Sequence, residues 1–341
     1  MGGQGAGLTF DAMKPNIALV TGGYSGEATI SYRSANTIYN HLDKDRYEVY
    51  RIDVNPQGWY WEWNGQKGEV NKNDFSITVD SKKIIFDAVF IGMHGTPGED
   101  GKLQGYFDML RLPYTSCNAA TSALSFNKRY TTAVAAAAGI PVAPSVHLFK
   151  GNTYDNDVVK HLQMPLFVKP NNGGSSIGMS KIVKTDELQA ALDKAFREDD
   201  QVLVEQMISG REFTVGVYQD AAGIHVLPIT EVISENFFFD FEAKYEGKSR
   251  EITPAEIGAN WKKALEETAS KIYQVFNCNG VVRIDFIYNE EAGKPYMLEI
   301  NTIPGQSDAS VIPQQVRAAG GNLRDFYAAL VDAALAQSKK S

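Results

Sequence analysis

Apolar and polar positions in the first hundred residues follow two periods. Short apolar runs typical of buried strands occur at 17–23, 47–54 and 87–95. Between the first two, residues 28–42 have the spacing of a helix. This alternation predicts a parallel sheet with helices packed on it. Ligands bind beyond the carboxyl ends of such strands, so the loops 21–27 (TGGYSGE) and 94–101 (HGTPGEDG) are candidate binding loops.

From residue 117 onward the pattern changes to an α+β order. An Ala-rich helix ends at Gly139, with Pro141 just beyond it as a stop signal. A second helix is predicted at 186–196, and an amphipathic helix begins at Leu323. Apolar runs that predict further strands lie at 165–170, 179–184, 201–208 and 211–219.

Residues 233–252 mix aromatic and charged side chains without a helical or strand period, which indicates a long functional loop. The next four residues, 253–256 (TPAE), have the composition of a capping box with proline at the first helical position. They predict the start of a helix. Its apolar face is formed by Ile257, Trp261, Leu265 and Ile272.

Near the end of the chain, 281–288 (VVRIDFIY) and 296–305 (YMLEINTIPG) predict a β-hairpin. Side chains alternate faces along a strand, so each strand has one apolar and one polar face. A pairing of Tyr288 with Tyr296 would set the register. The residues predicted on the apolar faces are Val282, Ile284, Phe286, Tyr288, Leu298 and Ile300.

In this register Asp285 lies directly opposite Glu299, and the two carboxylates repel each other. Together with Asn301 on the same polar face they offer oxygen ligands of the kind that Mg²⁺ prefers, usually completed by substrate phosphates. A solvated sheet face would look similar. The neighbouring Arg283 and the following Pro-Gly turn favour a metal–phosphate site.

The composition limits the class of protein. With 341 residues the chain has room for two or three domains. A net charge of −8 argues against a large nucleic-acid-binding or anionic-membrane surface. Cys117 and Cys278 lack metal-type spacing and indicate a reducing cytoplasm. Residues 1–12 are Gly-rich and are expected to be a disordered or appended leader, and the apolar run 133–140 is too short to span a membrane.

Two glycine-rich loops have the chemistry of anion sites. Residues 171–178 (NNGGSSIG) lie between two strands, which excludes a P-loop, yet their backbone N–H groups could close over phosphates beside Lys169. An ordinary hairpin turn is the alternative. Residues 21–27 lack the dinucleotide-binding glycine pattern. Glu27 at the end of this loop could serve only to stabilise a helix dipole.

For several other polar residues the sequence is consistent with either a functional or a structural role. A lone histidine such as His94 is more often structural, and Lys128 could be a solvated helical lysine. Lys244 is more suggestive because it belongs to the irregular segment 233–252. Glu205 and Glu212 flank a turn after a buried strand, which is consistent with adenine and ribose binding or with plain surface acids.

The order of these residues is more informative than any one of them. The order of the lysines, the glycine-rich loop and the acidic residues resembles that of the ATP-grasp superfamily. More narrowly, from about residue 17 to 335 the chain resembles the D-alanine–D-alanine ligase family. Asn127, Asn172 and Gln306 depart from the usual pattern of that family. The motifs that match are GGYSGEATIS, HGTPGEDGKLQG, LPYTSC, VKPNNGGSSIGMSK, GREFTVGV, FEAKY, GVVRIDF and LEINTIPG.

The resemblance implies an α/β fold, α+β in its C-terminal half, with the three-domain ATP-grasp architecture. After the leader, 13–117 would form an N-terminal parallel-sheet domain. Residues 118–205 would form a central ATP-grasp domain with a glycine-rich lid loop. A C-terminal ATP-grasp domain with the metal site would cover 206–341, and the last two domains would clamp ATP. The resemblance also implies a cytoplasmic homodimer.

The implied reaction joins two D-alanines at the expense of ATP for peptidoglycan synthesis. The first D-alanine attacks the γ-phosphate and becomes D-alanyl phosphate. Two Mg²⁺ (or Mn²⁺) ions would bridge the phosphates. The implied metal ligands are Asp285, Glu299 and Asn301, the residues that neutralise phosphate charge are Lys128, Lys169 and Lys244, and those that hold adenine and ribose are Glu205, Gln206, Ile208 and Glu212.

The resemblance also implies roles in binding and transferring D-alanine. Glu27 would bind the ammonium of the first D-alanine in a hydrogen-bonded set with Ser175 and Tyr245, where a tyrosine is typical of dipeptide-forming rather than ester-forming members. The base for the second amine is not identified. The other implied substrate and oxyanion residues are His94, Ser310, Arg283 and Gly305.

Two alternatives remain at this stage. The first is another ATP-grasp carboxylate–amine ligase, or one that forms a D-alanyl ester. The second is a nucleotide-binding regulator without catalysis, which the complete set of acids and lysines disfavours.

Overall fold

The computed structural model describes residues 14–173, 177–234 and 249–337. The N-terminal part contains β1 (Asn16–Gly22), α1 (Ala28–His41), β2 (Glu48–Asn55), β3 (Gly58–Trp63), β4 (Gln66–Glu69), β5 (Ile77–Val79), β6 (Lys82–Ile84), β7 (Ala88–Ile91) and α2 (Lys102–Met109). Its main sheet has the strand order β4-β3-β2-β1-β7. As expected, β1 is parallel to both β2 and β7.

The sheet is covered on both faces. Ile17 and Leu19 pack into one hydrophobic cluster, while Ala18 and Val20 pack into another on the opposite face. Because side chains alternate along a strand, a strand buried on both faces has a continuous apolar run. This is why 17–23 could be recognised from the sequence.

The pattern of hydrophobic positions missed the antiparallel edge formed by β3 and β4. Asn64 and Gly65, the two residues between these strands, have φ values of 45° and 78°. An Asn-Gly pair with positive φ at both positions is the turn that best fits the twist of a two-residue hairpin. The signal was therefore present in the sequence.

The middle of the chain forms α3 (Ala119–Phe126), α4 (Lys128–Ala137), β8 (Ser145–Phe149), β9 (Leu166–Pro170), β10 (Ser180–Ile182), α5 (Leu188–Ala195) and β11 (Gln201–Gln206). These strands form an antiparallel sheet in the order β10-β9-β11-β8. Leu188, Ala191 and Leu192 of α5 pack against it. The helix end predicted at Gly139 is correct, since this residue follows α4 with a φ of 68°.

The third part contains β12 (Arg211–Asp220), β13 (Gly223–Val226), β14 (Thr230–Ser234), β15 (Ser249–Ile252), α6 (Ala259–Val275), β16 (Val281–Asn289) and β17 (Lys294–Asn301). Its sheet has the order β15-β14-β12-β16-β17, with β13 also on β12. Leu265 and Ile272 of α6 are buried against this sheet, which confirms the predicted apolar face.

Two local predictions in this part are wrong. The ends of the supposed loop 233–252 belong to β14 and β15, which pair with each other, and 235–248 lie outside the described residues. The capping box does not form, because Thr253 bonds through its hydroxyl to Thr230 and the Ala255 N–H donates to the Ile229 carbonyl. The helix begins later, with Gly258 as its N-cap.

The chain continues with α7 (Val311–Ala318) and α8 (Leu323–Gln337). Although α8 follows the third sheet in sequence, Tyr327, Leu330 and Val331 are buried in the same cluster as Ile17 and Leu19 of β1. The C-terminal helix therefore joins the first and third parts of the fold. Throughout the described segments, no helix has the length and apolar character needed to cross a membrane.

Candidate active site

The hairpin β16–β17 brings the predicted acidic pair together. Asp285 is paired with Glu299, as expected, but Tyr288 is opposite Pro295 and not Tyr296. The register shifts after Asp285, where the structure has a β-bulge. A bulge adds one residue to one strand and reverses which side chains face the core beyond it. Met297, not Leu298, is consequently buried.

Asp285 is held by groups from two strands. Thr214 of β12 donates its hydroxyl to Asp285 Oδ1 at 2.6 Å, and Arg283 donates from Nε and Nη2 at 2.9 and 2.7 Å. Nη2 of Arg283 is also 3.8 Å from Glu299. Burial is the strongest single influence and disfavours the Arg283 cation, but the charge and hydrogen bonds of Asp285, together with the charges of Glu299 and Glu99, raise the pKa of Arg283 above its usual value.

Two N–H groups near this pair have no acceptor within the described part of the chain. They are the Nη1 group of Arg283 and the backbone N–H of Gly305. A side chain at Gly305 would approach Ser310 Oγ to 2.8 Å, so glycine leaves room for that hydroxyl. Donors without a protein acceptor are suited to stabilise a negative oxygen that forms during a reaction.

Glu27 reaches the site from the first sheet. It is the N-cap residue of α1, and Ser25 Oγ lies 3.5 Å from its Oε2. The turn between β1 and α1 requires glycine at position 22, where φ is +95° and a Cβ would lie 2.5 Å from the Val54 carbonyl oxygen. A carboxylate at this helix N-terminus also stabilises the helix dipole. Glu27 therefore has a structural role whether or not it binds a ligand.

His94 connects the N-terminal part to the Pro-Gly turn after β17. Its Nδ1 lies 2.7 Å from the Ile303 carbonyl oxygen, and its Nε2 lies 2.8 Å from Ser34 Oγ. Ser34 Oγ also accepts the Gln306 N–H at 3.0 Å. Burial lowers the pKa of His94 to about 4, although the bond to Ile303 opposes this shift. The ring is therefore neutral at pH 7, and both of its nitrogens have protein partners.

This geometry changes the role expected for His94. A histidine that binds substrate needs a ring nitrogen available to it, and neither nitrogen is available here. The structure instead makes His94 a positioning residue for the turn 303–306. Ser34 and Gln306 have the same role and were missed, because no local signal relates positions that are 272 residues apart.

The predicted nucleotide residues fall into two groups. Lys128 begins α4 and donates from Nζ to the Gly173 carbonyl at 2.6 Å, which connects it to the glycine-rich loop. Lys169 of β9 forms an ion pair with Glu205 of β11 at 2.5 Å, and both side chains are largely buried. Glu212 lies on β12 and faces the acidic pair instead of accompanying Glu205.

A cavity of about 360 Å³ connects many of these residues. The predicted site residues that line it are Glu27, His94, Lys128, Glu212, Arg283, Asp285, Glu299, Asn301, Gly305 and Ser310. The residues outside it, on or just after the strands of the second sheet, are Lys169, Glu205, Gln206 and Ile208. The predictions that lie outside the described residues are Ser175, Lys244 and Tyr245.

The donor set is compatible with a divalent metal. In the described ranges no three His, Cys, Asp or Glu side chains form a metal-binding group. Asp285 and Glu299 are nevertheless a carboxylate pair, and the amide oxygen of Asn301, which accepts the Ile303 N–H at 3.1 Å, keeps a second lone pair. Two carboxylates with substrate phosphates are what Mg²⁺ usually requires.

The cavity thus combines an acidic pair for a metal–phosphate complex, a lysine beside a glycine-rich loop and two N–H donors that have no acceptor among the described residues. These are the elements needed to phosphorylate a carboxylate and to stabilise an oxyanion during acyl transfer.

Comparisons with known proteins agree with this chemistry. Residues 16–117 match the family model "D-ala D-ala ligase N-terminus" and residues 134–332 match "D-ala D-ala ligase C-terminus". The D-alanine–D-alanine ligase of Flavobacterium johnsoniae is 46% identical over 94% of this chain and 99% of that protein.

Solved structures give the same result. D-alanyl-alanine synthetase A from Vibrio cholerae has a TM-score of 0.84 and 30% identity, covering 95% of this chain and 100% of that one. The D-alanine–D-alanine ligase from Bacillus anthracis complexed with ATP has a TM-score of 0.77 and 26% identity, covering 96% and 99%.

Proposed function

The chain belongs to the D-alanine–D-alanine ligase family, and from this premise we propose that it joins two D-alanines to D-alanyl-D-alanine while converting ATP to ADP and phosphate. The product serves peptidoglycan synthesis. The observation that carries the proposal is the cavity in which the Asp285–Glu299 pair and the free N–H groups of Arg283 and Gly305 meet.

The first step activates a carboxylate, which is a poor acyl donor. Glu27 binds the ammonium of the first D-alanine and thereby orients its carboxylate. A carboxylate oxygen attacks the γ-phosphorus of ATP, the bond to the β-phosphate breaks, and ADP leaves. Lys128 next to the glycine-rich loop offsets phosphate charge, and Lys169 does so once ATP competes with Glu205 for its ammonium. The product of this step is D-alanyl phosphate.

The second step transfers the acyl group. Ser310 holds the carboxylate of the second D-alanine, whose neutral amine attacks the carbonyl carbon of D-alanyl phosphate. The carbonyl oxygen becomes negative and accepts hydrogen bonds from Arg283 Nη1 and the Gly305 N–H. Collapse of this intermediate expels phosphate and forms the amide, and the amine proton passes to solvent or to a base. His94 and Ser34 keep the turn that contains Gly305 in position.

Asp285, Glu299 and Asn301 are the residues proposed to hold the metal. When bound there, Mg²⁺ or Mn²⁺, as two ions, supplies positive charge to the ATP phosphates. Adenine and ribose are proposed to lie near Glu205, Gln206 and Ile208, with Glu212 closer to the phosphates.

Several wider expectations also belong to the proposal. The proposed domains are 13–117, 118–205 and 206–341, which the three larger sheets support. The ligase is proposed to be a homodimer, which light scattering after gel filtration would test. The two cysteines are unpaired, which supports work in the cytoplasm, where ATP is available.

The decisive experiment measures phosphate release with ATP, Mg²⁺ and D-alanine, together with mass spectrometry of the product. We expect D-alanyl-D-alanine and one phosphate per dipeptide, and no reaction with L-alanine. If D-serine or D-lactate is required as second substrate, the chain is a related ligase and not a dipeptide-forming one. ATP binding without D-alanine-dependent turnover would indicate a regulator.

A further inference from the structure

One buried carboxyl in the cavity has no role in the reaction above. Glu99 follows β7 in the loop 94–101 and is only 9% exposed. The Gly95 N–H donates to its Oε2 at 2.5 Å. Oε1 has no hydrogen-bond partner within the described ranges. Glu99 lines the same cavity as Glu27 and Arg283. A buried carboxyl beside open space in a binding cavity is suited to contact a ligand.

Glu27 and Glu99 meet at the same glycine. A Cβ on Gly95 would lie 2.5 Å from Glu27 Oε2, so the Glu27 carboxylate rests against the Gly95 backbone, while Glu99 is bonded to the N–H of the same residue. The φ of Gly95, +67°, also favours glycine. Any side chain here would displace Glu27. The turn thus has a shape that leaves room for two carboxyl groups at one point of the cavity.

An ammonium ion is the ligand that such a pair fits. It is positively charged and has three N–H donors, so it can bond to two carboxylates at once. We propose that Glu99 is the second carboxyl of the site that binds the ammonium of the first D-alanine, and that binding displaces a proton which Glu99 holds in the free protein. The inference rests on the proposed function, because it concerns the same substrate.

The electrostatics of the free protein agree with a proton on Glu99. Burial, followed by the negative charge of Glu27, raises the pKa of Glu99 to about 8, against the lowering effect of the Gly95 N–H. Two carboxylates at close range do not both ionise readily. The ammonium of the substrate would remove this repulsion, so the proton leaves to solvent and Glu99 becomes a carboxylate.

Other charged groups face Glu99 from the third sheet. Arg283 on β16 lowers its pKa and Glu299 on β17 raises it, and both effects are smaller than those of burial and Glu27. Asp285 is neutralised by its bonds to Arg283. His94 in the same loop stays neutral above pH 5, since its pKa is about 4. Glu99 is thus the group whose ionisation near pH 8 responds to the ammonium.

The consequence is a pH-dependent affinity for the first D-alanine. With a pKa of about 8 in the free protein, Glu99 is protonated in roughly nine tenths of the molecules at pH 7. The KM for the first D-alanine should then fall more than tenfold between pH 6.5 and 8.5. Binding of D-alanine at pH 7, in the presence of Mg²⁺ and a non-hydrolysable ATP analogue, should release nearly one proton. Calorimetry in buffers of different ionisation enthalpy measures that release.

The substitution Glu99→Gln separates the proposal from a structural role. The amide oxygen of glutamine can still accept the Gly95 N–H, so a carboxyl that only stabilises the loop is replaced without loss. We expect the variant to differ least from the wild type at pH 6.5, where Glu99 of the free wild type is protonated in most molecules. At pH 8.5 its KM for the first D-alanine should be at least tenfold higher, with the KM for ATP unchanged. Glu291→Gln, in the exposed turn between β16 and β17, is the charge-matched control.

Each result decides the matter. A Glu99→Gln variant with the wild-type pH profile, or a wild type that releases no proton on binding D-alanine, overturns the proposal. Should Glu99→Gln fail to fold, proton release by the wild type and a retained pH dependence in Glu99→Asp provide the test. A wild type with no D-alanine-dependent turnover refutes the proposed function, and this inference with it. Normal turnover without pH dependence of the first KM refutes this inference alone.

Discussion

Removal of the Ser34 hydroxyl tests how the oxyanion turn is positioned. In Ser34→Ala two buried groups lose their partner, namely the Gln306 N–H at 3.0 Å and His94 Nε2 at 2.8 Å. Ser34 is fully buried, so bulk water does not replace the hydroxyl. The turn that contains Gly305 then keeps the contact of His94 with the Ile303 carbonyl, the bond of the Ile303 N–H to Asn301 and that of the Tyr327 hydroxyl to the Gln306 side chain, but the Gln306 backbone is no longer held.

The magnitude follows from the cost of buried unsatisfied groups. Each costs about 1–3 kcal/mol, so the two together cost about 2–6 kcal/mol, to be divided between stability and catalysis. Complete loss of an oxyanion donor lowers kcat by about 10²–10³. A displaced Gly305 N–H should lose part of that, so we expect kcat to fall by about ten- to a hundredfold. The KM for ATP should change by less than about twofold, because the nucleotide residues lie elsewhere.

The assay combines urea unfolding with steady-state phosphate release at a temperature well below the transition of the variant. Ser122→Ala is the matched control. Ser122 is also fully buried, but its hydroxyl only donates to the Cys117 carbonyl, at 3.3 Å, and does not line the cavity. It should lose about 1 kcal/mol of stability and keep the wild-type kcat.

A folded Ser34→Ala protein with wild-type kcat would refute the argument, because it would mean that the bond to Gln306 does not position the turn. A loss of kcat equal to that of Ser122→Ala would have the same meaning.

Three further predictions follow from the site. Glu299→Gln should abolish metal-dependent turnover while the protein still folds, since the lost repulsion of Asp285 offsets the lost attraction to Arg283, 3.8 Å away; near-normal turnover would exclude Glu299 as a ligand. Lys169→Met should raise the KM for ATP at least about tenfold and destabilise the fold by about 3–5 kcal/mol, because it leaves Glu205 buried and unpaired; equal effects on the KM for ATP and for D-alanine would contradict it. The pKa of His94 is about 4 in the folded protein and 6.5 in the unfolded chain, so between these pH values the folded state binds fewer protons. The free energy of unfolding therefore falls as the pH drops below 6.5. By pH 4.5 the loss is about 2.5 kcal/mol, and urea unfolding of His94→Gln should show a correspondingly smaller decrease.

The β16–β17 hairpin shows which features could be predicted from the sequence and which could not. The alternation of side chains was sufficient to predict that Asp285 lies opposite Glu299, because the two strands of a hairpin are close together in the sequence. The bulge after Asp285 was not predictable from that alternation, and it buried Met297 in place of Leu298. Strand period alone does not show where a register shifts, because a bulge depends on the partner strand and on what packs beneath it.

The capping box shows a different limit. Residues 253–256 have a suitable composition, but Thr253 and Ala255 are used by β14 and the segment before it. A local motif forms only when its donors and acceptors have no better tertiary partner.

The sequence by itself determined the main strands and helices, most of their apolar faces and the opposed acidic pair, since these depend on residues close together in the chain. Only the tertiary structure decided that His94 meets the Ile303 carbonyl 209 residues away and that Glu99 is buried beside Glu27. The first fact arises from packing the first sheet against the turn after β17, and the second from the parallel pairing of β1 with β7, which brings together the loops that follow these strands. Burial and proximity set the protonation of these groups, and neither is encoded in the spacing of residues along the chain.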